Sequence, residues 1–164
     1  MRTMRKEQLE YFFKTYYSLV FRVAFMELRS HADAEDVIQE VFIRLIRYNP
    51  EFEGAEHEKA WLIRTTINLC KDFLKSKWNQ STVSMDAISG EELKFFKVPY
   101  VQQDDMVQNL FELPEKYRRA LYLFYYVDYS IKEISDVLGI PEGTVKTNLK
   151  RGREELKKIL SKER

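Results

Sequence analysis

Cysteine, glycine and proline are all scarce in this chain. Its 164 residues include one cysteine, five glycines and four prolines. The single thiol, Cys70, excludes an internal disulfide framework and indicates a reducing compartment. Because glycine and proline mark turns and helix ends, their scarcity favours long helices joined by few loops.

Long apolar runs are also missing. No run of about 18 apolar residues occurs, and residues 1–13 lack the apolar segment of a signal peptide. The hydrophobic content of 45% and the aromatic content of 14% are nevertheless sufficient for buried cores, which excludes wholesale disorder. We therefore expect a cytoplasmic protein with one ordinary domain or two small ones.

A large excess of one charge is absent from the chain as a whole, since the net charge is +1. The charges are segregated, however. Residues 141–162 carry seven basic and three acidic side chains, and residues 57–78 carry five and two. Residues 79–112 carry two basic and six acidic side chains. Two basic segments separated by an acidic spacer are typical of two nucleic-acid contacts on one chain.

Helical periodicity accounts for most of the chain. From Gln8 to Arg29, apolar residues recur at helical spacing and predict a core stripe of Phe13, Tyr17, Val20, Ala24 and Leu28. A second helix is predicted from Asp33, as its N-cap, to about Tyr48, and a third from about His57 to Lys77. A further helix opens at Leu113–Pro114–Glu115 and leads into the C-terminal segment.

No segment shows the two-residue period of a strand. Residues 79–105 lack sustained periodicity, apart from a short helical patch at 91–96, and contain serine, glycine, proline and acidic residues. The sequence therefore predicts an all-α protein in which two small helical domains, residues 1–78 and 106–164, are joined by a flexible linker at 79–105.

The segment from Ser130 to Leu160 predicts two short helices joined by a tight turn. Ser130 and Glu133 have the spacing of a capping box, Gly139 is suited to end the first helix, and Pro141 to start the second. The second helix places apolar residues on one face and basic residues on the other. Such a pair is typical of a helix-turn-helix, whose second helix enters the DNA major groove. The alternative is a surface hairpin with solvated lysines.

Two other helix faces need an explanation. The predicted second helix has a polar stripe opposite its apolar face, here named the 36–47 stripe: Asp36, Gln39, Glu40, Ile43, Arg44 and Arg47. This stripe is either a solvated surface or, because Ile43 lies among its polar residues, a partner-binding surface.

The predicted third helix has a stripe of aromatic, amide and cationic residues, here named the 57–78 face: His57, Trp61, Arg64, Asn68, Lys71, Lys75 and Trp78. It could follow a phosphate backbone and contact unpaired bases, although Trp61 could equally be a core residue.

Residues suited to catalysis are scattered. His31, His57 and Cys70 are far apart in sequence, and no acidic cluster has the spacing of metal ligands. We therefore predict no catalytic site, no metal site, no cofactor and no small-molecule substrate.

Three motifs carry a resemblance to a known family. They are DAEDVIQEVFIRLIR (33–47), WLIRTTINLCKDFLK (61–75) and LPEKYRRALYLFYYVDYSIKEISDVLGIPEGTVKTNLKRGREEL (113–156). In this order they resemble the sigma-70 family of bacterial transcription initiation factors, and specifically its small extracytoplasmic-function (ECF) group. The resemblance covers nearly the whole chain except the predicted linker.

The resemblance implies a subunit that binds core RNA polymerase and directs promoter-specific initiation. Its polymerase contacts would be the beta-prime clamp, met by the 36–47 stripe, and the beta flap. The loop at 49–56 and the following helix would capture a flipped base of the −10 element and hold the melted strand through Trp61, Arg64, Asn68, Lys71 and Lys75. The helix-turn-helix would read the −35 element through Thr144, Lys146, Thr147, Lys150 and Arg151, with Arg153 nearer the DNA backbone.

The resemblance also implies a stress-response role and an anti-sigma factor as partner, which in this family is commonly membrane-anchored. Two features depart from the family pattern. The third helix ends in lysines, KDFLKSKW, where relatives often carry arginines, and Gly152 stands where relatives often carry alanine. We expect Gly152 to permit close approach to the first helix of the motif. The alternative function is a stand-alone helix-turn-helix regulator, for which the 36–47 stripe would be superfluous.

Overall fold

The computed structural model describes residues 3–79 and 105–162, with side chains at 3–76 and 106–162. These residues form helices and no strands, which confirms the all-α prediction. They fall into two compact units, one on each side of residue 100. Apart from its two end residues, the predicted linker lies outside the described residues, as does its helical patch at 91–96. Within the described ranges, no helix is long and apolar enough to cross a membrane.

Three helices build the N-terminal unit: α1 (Lys6–Leu28), α2 (His31–Tyr48) and α3 (Ala55–Asn79). Each packs against the other two. The predicted α1 stripe is buried except for Leu28, which is half-buried. It meets the apolar face of α2 and a buried row on α3: Val37, Ile38, Val41, Phe42 and Leu45 on α2; Leu62, Ile63, Thr66, Ile67 and Cys70 on α3. Helical periodicity therefore identified the core correctly.

The start of α2 differs from the prediction. Ser30, and not Asp33, is the N-cap, and its Oγ accepts a hydrogen bond from the Asp33 N–H at 3.1 Å. Asp33 lies instead in the first turn, where its carboxylate is favourable beside the positive end of the helix dipole. The helix ends at Tyr48 as predicted, because Asn49 adopts a left-handed conformation with φ 38°.

The C-terminal unit contains α4 (Asp105–Phe111), α5 (Glu115–Tyr125), α6 (Ile131–Leu138) and α7 (Glu142–Lys162). The opening of α5 after Pro114 was predicted, whereas α4 was not. Val107 and Leu110 of α4 are buried, and α4 packs against α5 and α7. Helix α4 thereby adds a fourth element to the core around the predicted helix-turn-helix.

The helix-turn-helix caps form as predicted. The Glu133 N–H donates to Ser130 Oγ at 3.1 Å, and the Ser130 N–H donates to Glu133 Oε1 at 2.9 Å. Gly139 ends α6 in a left-handed conformation with φ 66°, and its N–H donates to the Ser135 carbonyl at 2.9 Å. These local bonds fix the turn that sets the direction of α7.

Gly152 is a buried close-approach site, but its neighbour is α5 and not α6. A Cβ atom at this position would lie 3.1 Å from Leu121 Cδ1 and 3.2 Å from Tyr117 Cβ. The expected close approach therefore exists against a different helix. It allows α7 to pack onto α5 despite the low helix propensity of glycine, which is about 1 kcal/mol worse than that of alanine.

Replacing Gly152 with valine should destabilise the C-terminal unit. The added side chain would push α7 away from Leu121 and Tyr117 of α5. We expect the free energy of unfolding to fall by about 1–3 kcal/mol. Urea denaturation followed by circular dichroism measures this change. Gly143→Val is the matched control, because a Cβ at Gly143 meets nothing within 4 Å. Equal stability of the two variants would show that packing at Gly152 is unimportant.

Candidate nucleic-acid and partner interfaces

The 36–47 stripe lies on the solvent side of α2, opposite its buried row. Asp36 and Arg47 are exposed, and the other four members are half-buried. Arg44 Nε lies 3.4 Å from Glu40 Oε1, with side-chain exposures of 40% and 29%. Ile43 therefore presents a partly exposed apolar surface among charged groups, as the sequence predicted.

Asp36 has an unfavourable electrostatic position within this stripe. Partial burial and the neighbouring charge of Asp33 raise the pKa of its carboxyl above the ordinary value. Its carboxyl therefore lies close to a second acidic group on the accessible side of α2.

The loop between α2 and α3 spans residues 49–54, because α3 begins at Ala55. Its aromatic residue, Phe52, contacts rings on both sides. The Phe52 ring centroid lies 5.7 Å from that of Phe12, 5.2 Å from that of His57 and 6.0 Å from that of Trp61. Trp61 is half-buried, so it packs against the loop and still has accessible surface. Trp61 is therefore only partly a core residue, and its contact with bases stays a prediction.

The remaining predicted residues of α3 lie on one exposed face. Arg64, Asn68 and Lys75 are exposed, and Lys71 is half-buried. The opposite face, with Ile63, Thr66, Ile67 and Cys70, is buried in the N-terminal core. The structure therefore brings the predicted cations and the amide together along α3, starting beside the 49–54 loop. The side chain of Trp78 lies outside the described residues.

Helix α7 presents a second basic surface in the C-terminal unit. Its core side consists of Val145, Asn148, Leu149 and Gly152. The predicted Thr144, Lys146, Thr147, Lys150 and Arg151 are all exposed. Thr147 Oγ1 donates a hydrogen bond to the Gly143 carbonyl at 3.0 Å. The structure leaves these five residues accessible to a ligand.

Arg153 is placed apart from those five. Its Nε donates to the Tyr125 hydroxyl at 2.7 Å, and its guanidinium lies 5.5 Å from the Tyr125 ring and 5.7 Å from the Phe124 ring. These contacts hold Arg153 on the flank of α7 that faces α5. Sequence reasoning did not single out Tyr125, although two adjacent tyrosines at a helix end were a usable signal.

An apolar groove next to Arg153 was also missed. It has a volume of about 390 Å³ and is formed by α4, α5 and α7, with apolar walls from Met106, Leu110, Leu121, Tyr125, Tyr126, Leu156 and Leu160. Tyr125 and Tyr126 are 54% and 57% exposed. The signal in the sequence was the continuation of the apolar face of α7 to Leu160, past the end of the helix-turn-helix.

The residues considered for chemistry do not converge. His31 packs against Phe25 with ring centroids 4.6 Å apart, whereas Cys70 is buried in α3. His57 Nδ1 accepts a hydrogen bond from the Glu53 N–H at 3.1 Å. Across the part of the chain that the structure describes, no group of three or more histidine, cysteine, aspartate or glutamate residues could hold a metal ion.

Comparisons with known proteins agree with both units. Residues 12–80 match Sigma-70 region 2, and residues 110–156 match Sigma-70, region 4. The ECF RNA polymerase sigma factor SigW of Bacillus subtilis (strain 168) is 31% identical over 158 residues, covering 88% of this chain and 84% of that protein.

Two solved structures share the fold. The sigma factor RpoE, in its complex with the anti-sigma factor NepR from Bartonella quintana, has a TM-score of 0.71 at 18% identity, covering 96% of this chain and 99% of that one. CnrH, in its complex with the cytosolic domain of CnrY, has a TM-score of 0.69 at 19% identity, covering 98% and 92%. Both sigma regions match this chain, and SigW is 31% identical to it along most of its length. The chain therefore belongs to the ECF group of the sigma-70 family of transcription initiation factors.

Proposed function

We propose that this protein binds core RNA polymerase through its N-terminal unit and directs initiation by recognising the −10 and −35 elements with separate units. The observation that carries the proposal is the coexistence of three accessible surfaces: the 36–47 stripe on α2, the cationic face of α3 and the basic face of α7. The proposed domain limits are residues 1–78 and 106–164.

The 36–47 stripe is the proposed contact with the beta-prime clamp. Asp36 and Glu40 offer carboxylates, and Ile43 offers apolar area one turn after Glu40. This combination of a small apolar centre and a charged rim is suited to a specific protein interface.

Recognition of the −10 element is assigned to the 49–54 loop and α3. Arg64, Lys71 and Lys75 would neutralise phosphates, while Asn68 and Trp61 would hydrogen-bond or stack with unpaired bases. Lysine lacks the bidentate fork of arginine. Base selection would therefore depend mainly on the loop, Arg64 and Asn68. Opening costs a few kcal/mol for each unstacked base step, which capture of a flipped base offsets.

Recognition of the −35 element is assigned to α7 in the major groove. Arg151 can form a bidentate pair with guanine, and Lys146 and Lys150 can reach base edges or phosphates. Thr144 and Thr147 offer hydroxyl and methyl groups to the same groove. Arg153, held by Tyr125, would reach only the DNA backbone at the edge of the site.

The apolar groove of the C-terminal unit is assigned to the beta flap of the polymerase. An anti-sigma factor, membrane-anchored as is common in this family, is the second proposed protein partner; the complex of RpoE with NepR supports this assignment by analogy. We further propose that the protein is cytoplasmic. We also propose that it is non-catalytic and has no cofactor, because the polymerisation chemistry belongs to the polymerase.

Core-dependent promoter binding tests this function. Purified protein is mixed with core RNA polymerase, and the complex is isolated by size exclusion and tested on promoter DNA. We expect coelution with core, and specific DNA binding mainly by the complex, because tethering raises the effective concentration of the second DNA contact. A stand-alone regulator would bind its operator equally well without core.

A further inference from the structure

A cluster of two tyrosines and one glutamate links α1 to the beginning of α3. We name Tyr11, Tyr16 and Glu58 the tyrosine–glutamate cluster. None of the three surfaces assigned above includes these residues. The cluster lies next to the 49–54 loop, because Glu58 is in the first turns of α3 and the loop leads directly into that helix.

The hydrogen bonds of the cluster converge on one carboxylate oxygen. The hydroxyls of Tyr11 and Tyr16 each donate to Glu58 Oε1 at 2.8 Å. The Tyr16 hydroxyl also lies 3.3 Å from the Ala55 carbonyl, which is a weaker contact for its single proton. Bonds to an ionised acceptor are stronger than bonds between neutral groups. Two of them therefore fix the first turns of α3 to α1.

The pKa values of both tyrosines reflect this geometry. The hydrogen bond to Glu58 raises the pKa of Tyr11, and burial together with the same hydrogen bond raises that of Tyr16. Both hydroxyls therefore remain protonated donors over the whole physiological pH range.

The loop itself is held at three points. At its start, the left-handed Asn49 donates its N–H to the Leu45 carbonyl at 2.9 Å. In its middle, Phe52 is seated between Phe12 on one side and His57 and Trp61 on the other. At its end, the Glu58 N–H donates to the Gly54 carbonyl at 3.1 Å.

The ring contacts of Phe52 depend on the spacing between α1 and α3. Phe12 belongs to α1, while His57 and Trp61 flank Glu58 on α3. The Phe12 ring also stacks on the Tyr16 ring, with centroids 6.1 Å apart. If the first turns of α3 moved away from α1, Phe52 would lose contacts on one side.

We propose that Tyr11, Tyr16 and Glu58 are positioning residues for promoter selectivity: they hold the beginning of α3 against α1, which keeps Phe52 seated and the 49–54 loop preformed before DNA binds. The proposal rests on the proposed role of this loop at the −10 element. A preformed loop loses less conformational freedom on binding, and it cannot adapt to a wrong base.

The test uses two variants and a matched control. Glu58→Gln replaces the charged acceptor, and the double variant Tyr11→Phe/Tyr16→Phe removes both donors while keeping the rings. Glu7→Gln removes an equal charge from the first turn of α1, at an exposed residue outside the cluster, the 49–54 loop and α3. Thermal unfolding of each variant monitors the global fold.

The first readout is local. A protease that cleaves after glutamate is applied to the full chain, and cleavage at the exposed Glu51 and Glu53 is measured by mass spectrometry. The second readout is selectivity. Each protein is reconstituted with core RNA polymerase and transcribes two libraries, randomised at either the −10 or the −35 block, and the transcripts are sequenced.

We expect both cluster variants to be cleaved faster in the loop and to lose about tenfold in the enrichment of preferred −10 sequences, comparable to one lost base contact. Selectivity at −35 should be unchanged, and Glu7→Gln should behave as wild type. Wild-type −10 enrichment in both cluster variants would overturn the inference. An equal loss at −35, or the same loss in Glu7→Gln, would also overturn it.

Failure of the proposed function would look different. A wild-type protein with no −10 preference would refute the assignment of the loop to the −10 element. In that case the rate of loop cleavage still tests whether the cluster positions the loop. Unchanged cleavage in both cluster variants would overturn that positioning role as well.

Discussion

Reversing the charge of Glu40 is expected to abolish stable association with core RNA polymerase. Glu40 lies in the centre of the 36–47 stripe and is 29% exposed in its side chain, beside Arg44. Lysine at this position would place a cation next to Arg44 and remove the carboxylate offered to the clamp. For a central charged residue of an interface, we expect affinity to fall by about 2–5 kcal/mol, which is roughly 30-fold or more.

The measurement is the dissociation constant of labelled protein with core, determined by fluorescence anisotropy. Glu35→Lys is the control, because it makes the same charge reversal at an exposed residue of α2 outside the stripe. Circular dichroism should show an intact fold for both variants. If Glu40→Lys still associated with core as tightly as wild type, the assignment of the stripe would be wrong.

The second large effect is expected at the −35 element. The double variant Lys150→Ala/Arg151→Ala removes two exposed cations from the side of α7 proposed to face the major groove, without changing its core. We expect binding of the complex with core to a preferred −35 duplex to weaken by about 1–3 kcal/mol for each residue that reads a base. A residue that contacts only phosphate would weaken preferred and scrambled duplexes alike.

The matched control removes the same charge further along the helix. Lys158→Ala/Lys162→Ala eliminates two exposed cations near the C-terminal end of α7. Affinities are compared on preferred and scrambled −35 duplexes at one fixed salt concentration, since counterion release makes such affinities dependent on salt. Equal binding of wild type to both duplexes would refute base reading by α7.

The elements that could be predicted from the sequence are those fixed by local interactions. The capping box at Ser130, the left-handed Gly139 and the apolar stripes of α1 and α2 involve residues within a few positions of one another. Even here, local chemistry was ambiguous at the start of α2, because Ser30 and Asp33 are both good N-caps. The sequence alone predicted that α2 is a helix, and the structure was needed only to identify its first residue.

The features that were missed depend on contacts distant in sequence. Helix α4 has only 7 residues, too few for a sustained periodic signal, and it packs against α5 and α7. The apolar groove has one wall from α4, so the continued apolar face of α7 could not by itself predict it. The hydroxyls of Tyr11 and Tyr16 meet a glutamate 47 and 42 residues away, a pairing that no periodicity reveals.

The position of Arg153 illustrates the same limit within one helix. The family resemblance implies a place nearer the DNA backbone, and only the structure shows that Tyr125, 28 residues earlier, accepts its hydrogen bond. The exposed cations of α3 and α7, by contrast, were identified correctly, because an exposed face follows directly from the buried one.

Run-off transcription with purified core RNA polymerase on a promoter library tests the central claim most directly. With this protein added, we predict transcripts from a restricted set of start sites that share preferred bases in two blocks, at −10 and −35. Core alone should show no such preference. Start-site usage that is the same with and without the protein would contradict its proposed role as the subunit that selects promoters.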